Sequence, residues 1–553
     1  MTRTPTWSDF EPGYRDLEDR PLILDNVSMW LHDWSELEKE VQEQYAALSR
    51  AKNEDTRDEA AEEAYLTFVR EVVPHMETVG QKLKTKFLSL EGFEPEAEHT
   101  EFVKRFRNEV ELFREENVSL LAEEIALSSG YDKLMGGLKV ELDGETLTIP
   151  EAERKLLDPD WSLRERAWRG VENAKLSVSS ELDKLFLKLL KLRRQLAENA
   201  GCSDYRDFRW RQFNRFDYTP EESRQFHESI ASEAVPLVAK VRDERREEMD
   251  LAALRPWDVA VDPQARPALE PFQTVTELEE GLARIFNRLD PKLAEQFNSL
   301  RDGWLELEAR EGKVPGLGYQ SFFPKSKKPY IYWTTNGTHR DVWVLVHEAG
   351  HAFHSLASTD RNDLVWNFYP GLEFAEVASQ TMELLMLPYL SKDEGGFYSE
   401  EDAARAKREG LERTLHQLPG QAQSDTFQHW LYTEAPEDVS VAELDAKWLE
   451  LEARFDPGVD WSGLERERAK GWHYFHIFAV PFYMLEYAYA WLGAIQIWQN
   501  ALENPQDALA KYRAALALGG TRPLPKLFET AGARFAFDRE TVGELMRFVY
   551  SQR

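Results

Sequence analysis

The chain of 553 residues carries 68 Lys and Arg against 100 Asp and Glu, a formal net charge of −32. That balance excludes a general nucleic-acid binder, because phosphate contacts need a surplus of basic side chains, and it disfavours docking on anionic lipid. Hydrophobic residues at 42% and aromatics at 12% suffice for a large buried core, which excludes a disordered chain.

In chain order, residues 1–9 lack an apolar signal core, so no secretion signal is expected. Residues 29–54, 58–89, 97–129, 163–200 and 221–253 carry apolar side chains at three- and four-residue spacing and are predicted as amphipathic helices. Cys202 is the one cysteine, so no intrachain disulfide can form; this fits a reducing, cytoplasmic compartment, with Cys202 a small packed or loop residue. Thr219-Pro220-Glu221-Glu222 predicts a sharp helix start with a capping box. Residues 255–271, with prolines at 256, 263, 267 and 271, read as an excursion or linker.

The composition changes between residues 312 and 337. Glycines at 312, 316 and 318, a Pro324-Lys325-Ser326-Lys327-Lys328-Pro329 turn and the aromatic, β-branched run 330–335 predict a small antiparallel sheet or ribbon. Tyr330 to Thr335 with Asn336 and Gly337 could form an edge strand to which a peptide adds by backbone bonds. Lys325, Lys327 and Lys328 read as a solvated turn. Residues 478–498 are long and apolar enough to prompt a membrane check. Pro481, the central Glu486 and three tyrosines favour a helix buried in a soluble protein, where Glu486 needs a partner.

The densest chemistry lies after Gly337. Thr338 and Asp341 can cap a helix whose apolar stripe is Val342, Leu345, Val346, Ala349, Phe353 and Leu356. On another face lies His347-Glu348-Ala349-Gly350-His351, an H-E-x-x-H. Residues i and i+4 stack on a helix, so two imidazoles can converge on one Zn²⁺. Glu348, beside the first His, would face the attacking water and move its proton to the leaving amine. His354 reads as a packed imidazole. Zinc needs a further protein ligand. Residues 373–385 read as a second helix on which Glu373, Glu376, Gln380 and Glu383 share one face. One of the three glutamates could bind zinc while another holds a ligand imidazole; periodicity does not choose among them.

Asn336-Gly337-Thr338…Asp341-Val342…His347-Glu348-Ala349-Gly350-His351-Ala352-Phe353-His354 resembles the zinc helix of oligoendopeptidase F and its relatives in the thimet oligopeptidase clan. Glu376-Val377-Ala378-Ser379-Gln380, then Glu383, resembles the segment whose first Glu is the third ligand. The resemblance therefore selects Glu376 and leaves Glu373 and Glu383 as supports. His473-Tyr474-Phe475-His476 through Pro481-Phe482-Tyr483…Tyr487 resembles the segment that supplies oxyanion donors. By position these are His476, Tyr483 and Tyr487, with the register among Tyr483, Tyr487 and Tyr489 open and Tyr489 kept as a substrate contact. Arg206-Asp207-Phe208…Phe216-Asp217-Tyr218-Thr219-Pro220 is similar to a further stretch, so the likeness covers at least residues 200–500.

The resemblance implies a mainly α fold of two helical lobes around a deep channel, with a small antiparallel β element at the zinc helix. Residues 1–200 are expected as an N-terminal helical region and 201–553 as the catalytic region. One Zn²⁺ is expected on His347, His351 and Glu376, with Co²⁺ or Mn²⁺ as substitutes in vitro. The expected function is endopeptidase cleavage of short peptides, with Glu348, His476, Tyr483 and Tyr487 catalytic and Asn336, Gly337 and Tyr489 contacting substrate. A zinc carboxypeptidase or dipeptidase, and a non-catalytic peptide-binding protein, are the alternatives. Nucleic acid and membrane are not expected as partners, and oligomeric state is left open.

Overall fold

The computed structural model describes residues 4–310, 312, 313 and 317–553. Gly316 and residues 1–3 lie outside the described residues. The fold is mainly α-helical, as expected, and carries two small sheets.

Helix Val27–Glu54 forms as predicted. The other four long predictions are each broken in two: Glu59–Glu71 and Val73–Leu88, Thr100–Leu112 and Glu115–Gly136, Trp161–Ser177 and Ser179–Ala200, Pro220–Glu233 and Val235–Glu248. Two breaks have a local cause. Pro74 and Pro236 sit in the first turn of the second helix of their pairs, where a missing N–H costs nothing. Thr219 and Glu222 make the predicted capping box. Ser179–Ala200 ends on a left-handed Gly201, and Cys202 follows as a half-buried loop thiol whose pKa burial raises.

A hairpin absent from the expectations joins β1 (Lys139–Leu142) to β2 (Glu145–Thr148). Its turn, Asp143-Gly144, has positive φ at both residues, the geometry that an Asp-Gly pair between short strands favours. The proline-rich stretch 255–271 is a packed excursion rather than a free linker. Trp257 and Asp258 are buried, and Arg164 donates to the Trp257 carbonyl at 3.0 Å and the Asp258 carboxylate at 2.9 Å.

The N-terminal helices share a core of their own, centred on Trp30, Trp34, Phe87, Phe102 and Phe106, which Leu364 joins from the far end of the H-E-x-x-H helix. A larger core runs from Leu112 to Val549. At its centre are three helices: His339–Arg361, Leu372–Leu385 and Met484–Glu503, called below the His347, Glu376 and tyrosine helices. The tyrosine helix is buried on most of its faces, and no helix of the described residues is long and apolar enough to cross a membrane.

The sheet beside the His347 helix is mixed rather than purely antiparallel. β4 (Tyr319–Phe323) pairs antiparallel with β5 (Lys328–Tyr332), and β3 (Leu305–Glu306), upstream of the predicted range, adds to β5 in parallel. The run expected at an edge is thus the central strand, and β3 and β4 are the edges. Ile331 and Trp333 turn their amides to Trp304 and Glu306, so both sides of β5 are spent within the sheet. The lysine turn is tethered: Lys325 pairs with Glu40, and Lys327 donates to the Thr359 carbonyl at 3.0 Å.

Candidate active site

The His347 helix starts as the sequence predicts, through a Thr338–Asp341 capping box. Asp341 is fully buried and accepts from the Thr338 amide at 2.7 Å, the Asn336 amide at 3.0 Å and Trp333 Nε1 at 2.8 Å. Asn336 and Gly337, expected to contact substrate, lie at this helix start. The Asn336 amide and carbonyl are held by Asp341 and Arg154, and Gly337, at φ +74°, turns the chain into the helix.

His347 and His351 face the Glu376 helix. Their Nε2 atoms stand 3.4 Å and 3.6 Å from Glu376 Oε2, and all three ligand atoms lie within 4.8 Å of one another. Tetrahedral zinc with bonds near 2.0–2.1 Å sets its ligands about 3.4 Å apart. The outer partners also suit a metal. His347 Nδ1 meets Glu383 Oε1 at 2.7 Å, and His351 is held through the Ala375 backbone carbonyl. Each imidazole thereby turns Nε2 toward the shared point. Burial pushes His347 down, but Glu376 and Glu383 on its two nitrogens raise it well above its ordinary value. Burial would raise Glu376, yet His351 and His347 outweigh it and bring it to about 2.

Close approach of the two helices makes this geometry. A Cβ on Gly350 would lie 2.6 Å from Ser379 Cα and 2.8 Å from the Ala378 carbonyl oxygen. The glycine between the two histidines is thus where backbone meets backbone.

Glu348 is 7% exposed and lies beside the ligands without joining them; burial pushes its carboxyl up to about 7. The backbone N–H of Gln320, on the outer side of β4, points at it. Glu383 is gripped from behind by Arg413, whose guanidinium lies over Trp343 at 4.4 Å. Gln320 and Arg413 carry no local sequence signal and were not among the expected residues.

Glu373 does not reach the imidazoles. It accepts from Tyr218 at 2.5 Å and lies 3.8 Å from Arg215, which also bonds Glu486 at 2.7 Å. This supplies the partner Glu486 required. Burial raises Glu486 well above the carboxylate range; Arg215 opposes that rise and Glu373 adds to it. His354 is a packed imidazole against Phe374.

Three aromatic residues gather over Glu376. Tyr483 donates to Glu376 Oε1 at 2.9 Å; His476 lies 6.1 Å from the Tyr483 ring and 5.8 Å from the Tyr487 ring. Burial brings His476 down to about 4, so it is neutral. Tyr489 is not there. Two residues past Tyr487 on a helix is the opposite face, and its ring packs on Phe226 at 4.9 Å and Phe537 at 5.0 Å inside the core.

A second group, His227, Asp425 and His429, is also close enough for a metal. Its distances differ: His227 Nε2 makes a 2.8 Å hydrogen bond to Asp425 Oδ2, and His429 Nε2 lies 3.2 Å from the same oxygen without hydrogen-bonding it. Arg206, always a donor, meets His429 Nδ1 at 3.4 Å, which leaves the proton on Nε2. This group is a buried carboxylate between two imidazoles, hydrogen-bonded to His227.

Residues 156–546 match the profile of Peptidase family M3. The chain belongs to peptidase family M3. Family M3 membership agrees with the resemblance read from the motifs. An oligoendopeptidase F homolog of Borreliella burgdorferi is 24% identical over 303 residues, 54% of this chain and 50% of the relative. The oligopeptidase PepF of Bacillus subtilis is 21% identical over 319 residues, 57% of this chain and 46% of the relative. The matches thus span about half the length of these curated relatives. Among solved structures, PZ peptidase A with an inhibitor superposes with a TM-score of 0.92 at 24% identity, over 100% of this chain and 98% of that one. A structure assigned to oligoendopeptidase F gives 0.91 at 25% identity, over 99% and 97%.

Proposed function

We propose that this M3 chain is a zinc-dependent endopeptidase of short peptides, with one ion held by His347, His351 and Glu376. The observation that carries the reading is the spacing of those three ligand atoms, with Glu348 beside them and outside the ligand set. Bound there, zinc would polarise the scissile carbonyl and acidify a water molecule. Glu348 takes the proton of the attacking water and returns it to the leaving amine; a carboxyl near pKa 7 can do both at neutral pH. Tyr483 spends its hydroxyl on Glu376, while the Tyr487 hydroxyl has no hydrogen-bond partner among the described residues. Tyr487 is therefore the oxyanion donor, and the neutral His476 supplements it. The open edge of β4 beside Glu348 would pair with an extended peptide backbone, which suits cleavage at varied sequences. A channel between two lobes, which the family resemblance implies, would limit substrates to short peptides, and the single cysteine suits a cytoplasmic location.

Mass spectrometry of an end-blocked peptide library tests this. Internal cleavage that chelator abolishes is expected, with folded globular proteins left intact. Release of single residues from free C-termini alone would replace the endopeptidase by a carboxypeptidase, and no cleavage by metal-loaded protein would end the reading.

Elemental analysis is expected to return one equivalent of zinc per chain. His351→Ala should lose it and Asp425→Asn should keep it. Two equivalents, one of them lost with Asp425, would make the second histidine group a metal site.

A further inference from the structure

The segment that presents His476, Tyr483 and Tyr487 has little regular structure of its own. One helical turn, Phe475–Phe478, precedes the tyrosine helix, and between them the chain bends through Phe482. Phe482 is fully buried, with φ +66°, a left-handed backbone that side chains with a Cβ avoid and glycine usually supplies. Its ring packs among Trp210, His429 and Tyr432. A glycine here would forfeit that packing, so the backbone must be held by something else.

Buried side chains hold it from both sides. Gln428 Oε1 accepts the Phe482 N–H at 2.7 Å, while its Nε2 donates to the Ser424 carbonyl at 3.1 Å, which fixes the direction of the acceptor. Arg215 Nη2 donates to the Phe482 carbonyl at 2.6 Å and to Glu486 Oε1 at 2.7 Å. Arg215 also lies 3.8 Å from Glu373, one helical turn before Glu376. One guanidinium thus touches the bend, the tyrosine helix and the helix of the third ligand. Upstream, Arg193 binds the Ile477 and Phe478 carbonyls, and Arg209 binds the Pro481 carbonyl at 3.2 Å.

We infer that Arg215 and Gln428 are positioning residues: they hold Phe482 in its left-handed conformation and so aim Tyr483 and Tyr487 at the metal-ligand group. The inference rests on the role proposed above for those tyrosines. Without the Gln428 acceptor the bend relaxes toward ordinary φ, and the first turn of the tyrosine helix rotates with it. Displacement of a reacting group by an ångström is enough to lower turnover by about a hundredfold.

Gln428→Met matches the side chain in length and removes the acceptor, Gln428→Glu keeps an acceptor oxygen, and Arg215→Lys keeps a cation that cannot fork. On a blocked peptide, Gln428→Met and Arg215→Lys are expected to lower kcat by about 10–100-fold with KM within a few-fold of the parent, and Gln428→Glu to recover most of kcat. Deuterium uptake over residues 476–487 should rise in the first two variants, with the other helices unchanged. Parent-like kcat in both variants overturns the inference. So does uptake that rises throughout the chain, because a general loss of stability then accounts for the effect. If the parent itself cleaves nothing, the proposed function fails, and the uptake of residues 476–487 alone decides whether these two residues hold the bend.

Discussion

Glu348→Gln is expected to lower peptide hydrolysis by about 10³-fold while zinc content stays at one equivalent. The two effects separate because Glu348 lies outside the ligand set, which comprises His347, His351 and Glu376. Glutamine has the same shape and can still accept the Gln320 N–H, so the local packing survives. What it lacks is a basic oxygen. Burial pushes the Glu348 carboxyl up to about 7, close to where a group can both take a proton and release it at neutral pH. The check is kcat on a blocked peptide beside metal content of the same preparation. A variant that keeps its zinc and hydrolyses like the parent removes Glu348 from the mechanism. One that loses its zinc makes Glu348 part of the metal shell.

Gly350→Ala should be nearly as damaging, although it adds one methyl group and touches no ligand. The new Cβ would meet the Ser379 Cα at 2.6 Å and the Ala378 oxygen at 2.8 Å. Both are backbone atoms of a buried helix and cannot rotate aside, so the two helices must separate. Overpacking of this kind costs about 1–3 kcal/mol of stability. Separation also draws Glu376 away from the two imidazoles, and zinc affinity should fall at least about tenfold, the scale seen when the surroundings of a metal site are disturbed. Competition with a coloured chelator measures the affinity, and a thermal midpoint measures the stability. Excess zinc should restore part of the activity. Parent-like affinity would mean that the helices do not approach as closely as the glycine contact requires.

Much of the candidate site is legible in the chain because its logic is local. Two histidines at i and i+4 converge by helix geometry alone, and Thr338 with Asp341 marks where that helix begins. The hairpin at Asp143-Gly144 is equally local, its turn pair and short alternating flanks being visible in the sequence. The breaks before Pro74 and Pro236 are of the same kind. The three glutamates of the second helix are different. Glu373, Glu376 and Glu383 share a face, so periodicity treats them alike. Packing against the His347 helix gives them three separate tasks: Arg215 and Tyr218 for Glu373, the imidazole Nε2 atoms for Glu376, and His347 Nδ1 with Arg413 for Glu383.

By itself the sequence determined a helical, acidic chain with an H-E-x-x-H helix, a second acidic helix and an aromatic segment behind them. Each of these is written within a dozen or so neighbouring residues, where the helical repeat alone sets which side chains share a face. Only the tertiary structure decided that Glu376 faces the histidines, that Tyr489 points into the core, that β4 rather than β5 lies at an edge, and that Arg215 and Gln428 grip the bend before Tyr483. Apart from the strand order, those partners lie between 25 and 267 residues apart in the chain. Contacts at such separation follow from how whole helices pack, which no local repeat encodes.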